Sequence, residues 1–230
     1  MSFKPCLLIP IFNHAGSIGA TVERLAVYGL PVLVVDDGSN EATQAALAAL
    51  AFSHPQLRLF RLPQNSGKGA AVVAGLREAQ ALGFSHALQI DADGQHDTDD
   101  VPRFVERARA KPGAVICGTP IYDASVPKAR LYGRYLTHFW VWVETLSFSI
   151  RDSMCGFRVY PLQASCALIN AVRLPRRMAF DTEILVRLAW RGVEVENIAT
   201  RVRYPAGGVS HFDMVRDNAG ITWMHTRLVF

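Results

Sequence analysis

The sequence predicts an α/β fold, a mostly parallel central sheet with helices on both faces. Three observations predict it. Short apolar runs alternate with helix-period segments through residues 6–117. Polar signatures follow three of the runs: Asn13-His14, Asp36-Asp37-Gly38-Ser39 and Asp91-Ala92-Asp93. Half of all residues (50%) are hydrophobic and only 19% are charged, which supports a full core and argues against disorder. Ligands of open α/β sheets bind beyond the carboxyl ends of the strands, so the three polar strand ends mark a site.

The elements follow in order. Cys6–Ile11 is an apolar strand. Ser17–Tyr28 has helical spacing through Ile18, Val22, Leu25 and Ala26. Pro31–Val35 is a buried-strand run, and the Ala/Leu-rich Glu41–Phe52 is helical. Leu57–Leu62 alternates Leu57 and Leu59 with Arg58 and Arg61. Gly69–Leu82 reads as helix, His86–Ile90 as strand, Asp99–Ala110 as helix and Ala114–Cys117 as strand. The second half is less regular. Arg130–Phe148 is a long aromatic helix, and Phe157–Tyr160 is a short strand. Leu162–Val172 and Phe180–Trp190 are helical, and Val193–Tyr204 alternates like a strand. Phe212–Val229 is an amphipathic tail helix with Met214, Ile221, Met224 and Leu228 on one side. There is no internal repeat and no low-complexity linker, and 230 residues fit a single domain.

Charge and cysteine usage narrow the function classes. Residues 1–117 carry 10 basic and 11 acidic side chains, and residues 118–230 carry 14 and 9. A basic second half suits a phosphate-bearing small molecule or an anionic membrane surface. It carries no recognised nucleic-acid motif and no aromatic-basic repeat, so no nucleic-acid partner is expected. Cys6, Cys117, Cys155 and Cys166 lack metal spacing, and Cys6 and Cys117 read as core. No apolar run reaches the about 20 residues of a spanning helix, and the N-terminus does not resemble a secretion signal. A cytoplasmic location is expected.

Each motif has a plain alternative. Asp91 and Asp93, one residue apart at a strand end, can converge on a hard cation with Gln95 next in line. An Asp-Gly turn is the competing reading. Asp36-Asp37-Gly38-Ser39 offers acceptor-only carboxylates to a ribose or base, or caps a helix through Ser39 or Asn40. Asn65-Ser66-Gly67-Lys68-Gly69 lets backbone N–H groups approach a phosphate, or simply enters a helix. It is not a Walker A loop, and no GxGxxG follows the first strand. Arg158, in an apolar strand, would pair Asp152 or a phosphate. Asp181 and Glu183 open a helix as dipole partners or as a general base. Arg130 and Arg134 are one turn apart and could hold an anionic acceptor. Phe139-Trp140-Val141-Trp142-Val143 reads first as core and second as an interfacial helix.

Taken together, these residues resemble family 2 glycosyltransferases with the GT-A (Rossmann-like) fold, closest to the polyprenyl-phosphate (dolichyl-phosphate) mannose and glucose synthases. The matching segments are Ile9–Asn13, Val35–Ser39, Asn65–Gly69, Asp91–His96, Cys155–Arg158 and Phe180–Leu185, in the family's order. The resemblance implies a single domain with a nucleotide-binding half (1–117), an acceptor-side half (118–211) and a tail helix (212–230). It implies inverting sugar transfer from a UDP- or GDP-sugar to a lipid-like or polyprenyl-phosphate acceptor, with Mg²⁺ or Mn²⁺ as cofactor. Pro10, Asn13, Asp37, Lys68, Asp91 and Asp93 would contact the nucleotide-sugar, and Asp93 and Gln95 the metal. Asp181, then Glu183, would be the base for a hydroxyl acceptor. A phosphate acceptor needs no base, and Arg130, Arg134 and Arg158 would position it. Peripheral contact with the inner face of the cytoplasmic membrane would run through residues 136–150. The departures are His211, which stands after Gly208-Val209-Ser210 where the family has a basic residue, and the missing transmembrane tail. A nucleotidyltransferase or a non-catalytic nucleotide-sugar binder is the alternative.

Overall fold

The computed structural model describes residues 2–122, 128–202 and 212–230, with the side chains of residues 122 and 128–131 outside that description. The first half alternates as expected: β1 (Pro5–Ile11), α1 (Ala15–Ala26), β2 (Val32–Asp36), α2 (Glu41–Ser53), β3 (Leu57–Arg61), α3 (Lys68–Ala81), β4 (His86–Gln89), α4 (Val101–Ala110) and β5 (Val115–Tyr122). Then come α5 (Lys128–Thr145), β6 (Arg158–Pro161), α6 (Leu162–Ala171), α7 (Phe180–Trp190), β7 (Val195–Val202) and α8 (Arg216–Val229).

The strands form one seven-stranded sheet in the order β3-β2-β1-β4-β6-β5-β7. Strand β6 runs antiparallel to both β4 and β5, and every other pairing is parallel. The period-2 alternation of a strand sends successive residues to opposite faces. In β1, Cys6 and Leu8 join α3, α6, α7 and α8 on one face. Leu7, Ile9 and Ile11 join α1 and α4 on the other. Strand β3 closes the sheet edge, which explains the alternation of Leu57 and Leu59 with arginines.

All four cysteines are buried and free. Burial pushes the thiols of Cys6, Cys117 and Cys155 up to about 12, so they are inert packing groups.

Two packing expectations change. Helix α5 buries Thr137, His138, Val141 and Glu144, whereas Tyr135, Leu136, Phe139 and Trp140 are exposed. The buried polar groups are paired: His225 Nδ1 lies 2.6 Å from Glu144 Oε1, and His138 faces Asp152. The aromatic run is therefore mostly an outer face and not core. In the tail, Met224 and Leu228 are buried as expected, but Met214 precedes α8 and is 71% exposed.

Candidate active site

The loops after β1 and β2 are tied together at the carboxyl ends of their strands. Asn13 adopts a left-handed backbone (φ 55), which Asn tolerates better than most residues. Its N–H donates to Ser39 Oγ at 3.0 Å, and its Oδ1 accepts from the Asn40 N–H at 2.8 Å. Asp36 and Asp37 divide the work. Asp36 accepts from Arg61 Nε (2.8 Å) and the Ser39 N–H (2.9 Å). Asp37 accepts from the Ser66 N–H at 2.7 Å and the Gly67 N–H at 2.8 Å, which anchors the loop entering α3. Burial raises the Asp37 pKa, and these two N–H groups offset only part of that rise. A Cβ on Gly38 (φ +69) would lie 2.5 Å from the Gln64 carbonyl carbon, so that position requires glycine.

Lys68, at the start of α3, is the hub. Its Nζ lies 3.0 Å from Asp91 Oδ2 and 3.0 Å from Asp181 Oδ2. Burial opposes the ammonium, but Asp181 and Asp91 outweigh it and hold Lys68 above the usual lysine pKa. Burial would likewise raise Asp91, yet Lys68 and then His96 hold its carboxyl well below the usual range. Buried His96 places Nε2 3.6 Å from Asp91 Oδ2 and rests against the Phe157 ring. Gly156 completes the seat, since a Cβ there would lie 2.4 Å from Asp91 Oδ2. Asp181 Oδ1 is buried and unpartnered beside this cluster.

Strand β4 ends at Gln89, so Asp91 and Asp93 lie in the following turn and strand alternation does not align them. Asp91 faces Lys68. Half-buried Asp93 accepts the Gln95 N–H through Oδ1 at 3.0 Å, and among the described residues no hydrogen bond reaches its Oδ2. No cluster of three or more His, Cys, Asp or Glu that could hold a metal occurs among the described residues. Mg²⁺ and Mn²⁺ take hard oxygens and rely on water and phosphate for much of their shell. Asp93, whose Oδ1 accepts the Gln95 N–H, offers a carboxylate oxygen of the kind such an ion takes, and Gln95 is a residue type that can add a carbonyl oxygen.

The remaining expected site residues divide. Pro10 is buried in β1 opposite Val35. Glu183 is fully buried and paired with Arg187 Nε (2.7 Å) and with Arg227 of α8. Residues two apart on a helix face different ways, so Glu183 turns from the cluster that Asp181 joins. Arg158 is also fully buried. It donates to the Asp181 and Ser153 carbonyls, both at 2.5 Å, and to the Tyr160 hydroxyl at 3.3 Å. It does not pair with Asp152. That carboxylate instead holds Arg134, with Nη2 at 2.8 Å from Oδ1, and accepts the Met154 and Cys155 N–H groups. Burial works against the ionised Asp152, but His138 and Arg134 hold its pKa well below normal. Arg134 is thereby fixed to the loop that carries Gly156. The Arg130 side chain and the 203–211 segment with His211 lie outside the described residues. The Lys68–Asp181 bridge and the seats made by His96 and Gly156 were not anticipated, although His96 and Gly156 both stand inside motifs already singled out.

The glycosyl transferase family 2 model matches residues 6–172, which span the strand-end loops and Asp91–Gln95. The chain belongs to glycosyl transferase family 2. It is 29% identical over 211 residues to a dolichyl-phosphate beta-glucosyltransferase of Trichomonas vaginalis, covering 83% of this chain and 61% of that one. It is 28% identical over 204 residues to an undecaprenyl-phosphate mannosyltransferase of Micrococcus luteus, covering 83% and 80%. The chain thus spans about three fifths of the length of the Trichomonas relative. The crystal structure of glucosyl-3-phosphoglycerate synthase from Mycobacterium tuberculosis with Mn²⁺, uridine diphosphate and phosphoglyceric acid superposes with a TM-score of 0.71 at 14% identity, covering 99% and 79%. The family 2 chain has the GT-A fold.

Proposed function

We propose that this family 2 chain is an inverting, metal-dependent glycosyltransferase that moves a sugar from a UDP- or GDP-sugar to a polyprenyl phosphate or similar lipid-linked acceptor. The observation that carries the reading is the Lys68 bridge between Asp91 and Asp181, set beside Asp93 and Gln95 where β4 ends. The names of the Trichomonas and Micrococcus relatives supply the acceptor class, and the Mycobacterium neighbour was crystallised with Mn²⁺ and uridine diphosphate.

In this reading Pro10, Asn13 and Asp37 border the nucleoside, and Lys68 and Asp91 the donor beyond it. Asp93 and Gln95 hold Mg²⁺ or Mn²⁺, which when bound neutralises charge growing on the departing diphosphate. The acceptor oxygen forms its bond to the anomeric carbon from the face opposite the diphosphate. The bond to the diphosphate breaks, and its electron pair leaves with the nucleoside diphosphate. Lys68 brings a fixed positive charge to the same cleft. An acceptor phosphate is already ionised and is positioned by Arg130 and Arg134. A hydroxyl acceptor would need Asp181, whose Oδ1 is unpartnered, to take its proton. Glu183 and Arg158 act as positioning residues behind α7 and the Ser153 loop.

The outer face of α5 supports peripheral contact with the inner face of the cytoplasmic membrane. Tyr132, Tyr135, Leu136, Phe139, Trp140 and Val143 form an exposed stripe at helical spacing. No helix among the described residues is long and apolar enough to cross a membrane. The family match leaves the nucleotidyltransferase alternative unsupported.

The test is thermal unfolding with UDP and with GDP, each with and without Mn²⁺, followed by turnover of the matching nucleotide-sugar on a short-chain polyprenyl phosphate. A ligand that binds only the folded chain raises the melting temperature by mass action. A metal-dependent shift with one nucleotide, and release of that nucleoside diphosphate, are expected. Absence of any shift would overturn the donor assignment. A shift without turnover on any acceptor would favour a non-catalytic nucleotide-sugar binder.

A further inference from the structure

A cavity of about 660 Å³ lies outside the Lys68 cluster, between the Gln64–Gly67 loop, the Arg173–Ala179 segment and α8. None of Asp37, Lys68, Asp91, Asp93, Gln95 or Asp181 lines it. The loop separates the two regions. Asp37 grips its Ser66 and Gly67 N–H groups, and a Cβ on Gly67 would lie 2.4 Å from the Arg176 carbonyl oxygen.

The lining carries five arginines against one carboxylate, Asp217. That carboxylate is already committed: Arg177 donates to both its oxygens, at 2.7 and 3.0 Å. Arg227 is likewise spent on Glu183. Arg173, Arg176 and Arg216 form no salt bridge with a carboxylate among the described residues; Arg216 and Arg176 feel Asp217 and Asp37 only at longer range, so three guanidiniums at one concavity keep their hydrogen-bonding groups free of a carboxylate partner. Guanidinium groups match phosphate oxygens in paired, charge-assisted hydrogen bonds. Trp223, 65% exposed, adds an aromatic surface to the lining. A volume within the range of ligand sites, three arginines outside any salt bridge among the described residues, and an open indole together describe an organic-anion site.

We propose that this cavity is a second binding site, separate from the transfer cleft, for a phosphate-bearing ligand held by Arg173, Arg176 and Arg216. The ligand's source is either a free phosphorylated molecule or the headgroup of an anionic phospholipid.

The test uses the full chain in EDTA. Calorimetry measures inorganic pyrophosphate binding, and flotation compares phosphatidylcholine vesicles with and without phosphatidic acid. The key variant is Arg173→Ser/Arg176→Ser/Arg216→Ser, whose three guanidiniums form no salt bridge among the described residues. A Lys68→Met variant reports binding in the transfer cleft, and thermal unfolding checks that each variant is folded. Each lost charged hydrogen-bonding group should weaken binding about tenfold or more. Pyrophosphate binding that survives Lys68→Met and is lost in the triple variant supports the site with a free-phosphate source. Phosphatidic acid-dependent flotation lost in the triple variant, without pyrophosphate binding, supports it with a lipid source. Binding that is abolished by Lys68→Met and unchanged in the triple variant overturns the proposal. So does the absence of both pyrophosphate binding and phosphatidic acid-dependent flotation in the unmodified chain.

Discussion

Replacing Lys68 with methionine removes one ammonium and keeps the bulk of its chain. Two carboxylates lose their shared partner, because Asp91 Oδ2 and Asp181 Oδ2 each lie 3.0 Å from Nζ. The groups are largely enclosed, with side-chain exposures of 19% for Lys68, 23% for Asp91 and 6% for Asp181. Breaking a buried pair from one side costs about 3–5 kcal/mol, and the partial exposure of Asp91 places this case near the lower end, about 3 kcal/mol. For a chain of this size that loss corresponds to a fall of about 6–12 °C in melting temperature. The pH dependence gives a second signature. In the unmodified chain the depressed Asp91 pKa adds stability above the ordinary carboxylate pKa, and that stability is lost as pH falls through the folded value. The raised Lys68 pKa adds stability below the ordinary lysine pKa, and that is lost as pH rises through its folded value. The Lys68–Asp91 pair therefore contributes most between the ordinary carboxylate and ordinary lysine pKa values. Without the ammonium, burial acts on Asp91 with less opposition and raises its carboxyl pKa, so the variant should gain stability as pH is lowered from 7 toward 5. Thermal unfolding by circular dichroism across that range reads both effects. A Lys68→Met melting temperature within about 2 °C of the parent at pH 7, with a flat pH profile, would refute the buried bridge.

Three other substitutions separate roles. Asp93→Asn should abolish the Mn²⁺-dependent stabilisation by nucleoside diphosphate and leave the ligand-free melting temperature within about 2 °C, because its carboxylate supports only a local turn; near-normal turnover would sink the metal assignment. Glu183→Gln should cost about 3 kcal/mol, seen in thermal unfolding, by leaving Arg187 and Arg227 undercompensated; a stable but inactive protein would return Glu183 to the chemistry. Asp181→Asn should cut transfer to a hydroxyl acceptor by about 10²-fold or more and spare transfer to a phosphate acceptor, so initial rates on the two acceptor types decide whether Asp181 is a base.

Most elements were legible in the sequence because helix and strand periodicities are local. The tight loops were legible for the same kind of reason: an Asp-Asp-Gly-Ser turn and an Asn-Ser-Gly-Lys helix entry carry their backbone requirements in their own residues. Asp91, Lys68 and Asp181 could be named as candidates from their motifs. Their meeting at one nitrogen could not be read, since Lys68 and Asp181 are distant in sequence and the juxtaposition depends on α3 and α7 packing on the same face of the sheet. Tertiary structure also decided between neighbours of the same chemistry. It turned Asp181 toward Lys68 and Glu183 toward Arg227, because α7 presents residues two apart to different surroundings. It inserted β6 antiparallel between β4 and β5, which carries Arg158 into the core and sets Gly156 against Asp91. It left the aromatic face of α5 outward, because the inner face was taken by polar groups that find partners on α8 and on the Asp152 loop. Composition and periodicity specify what each segment can become, whereas the direction a charge faces depends on which distant charge the packed sheet brings to it.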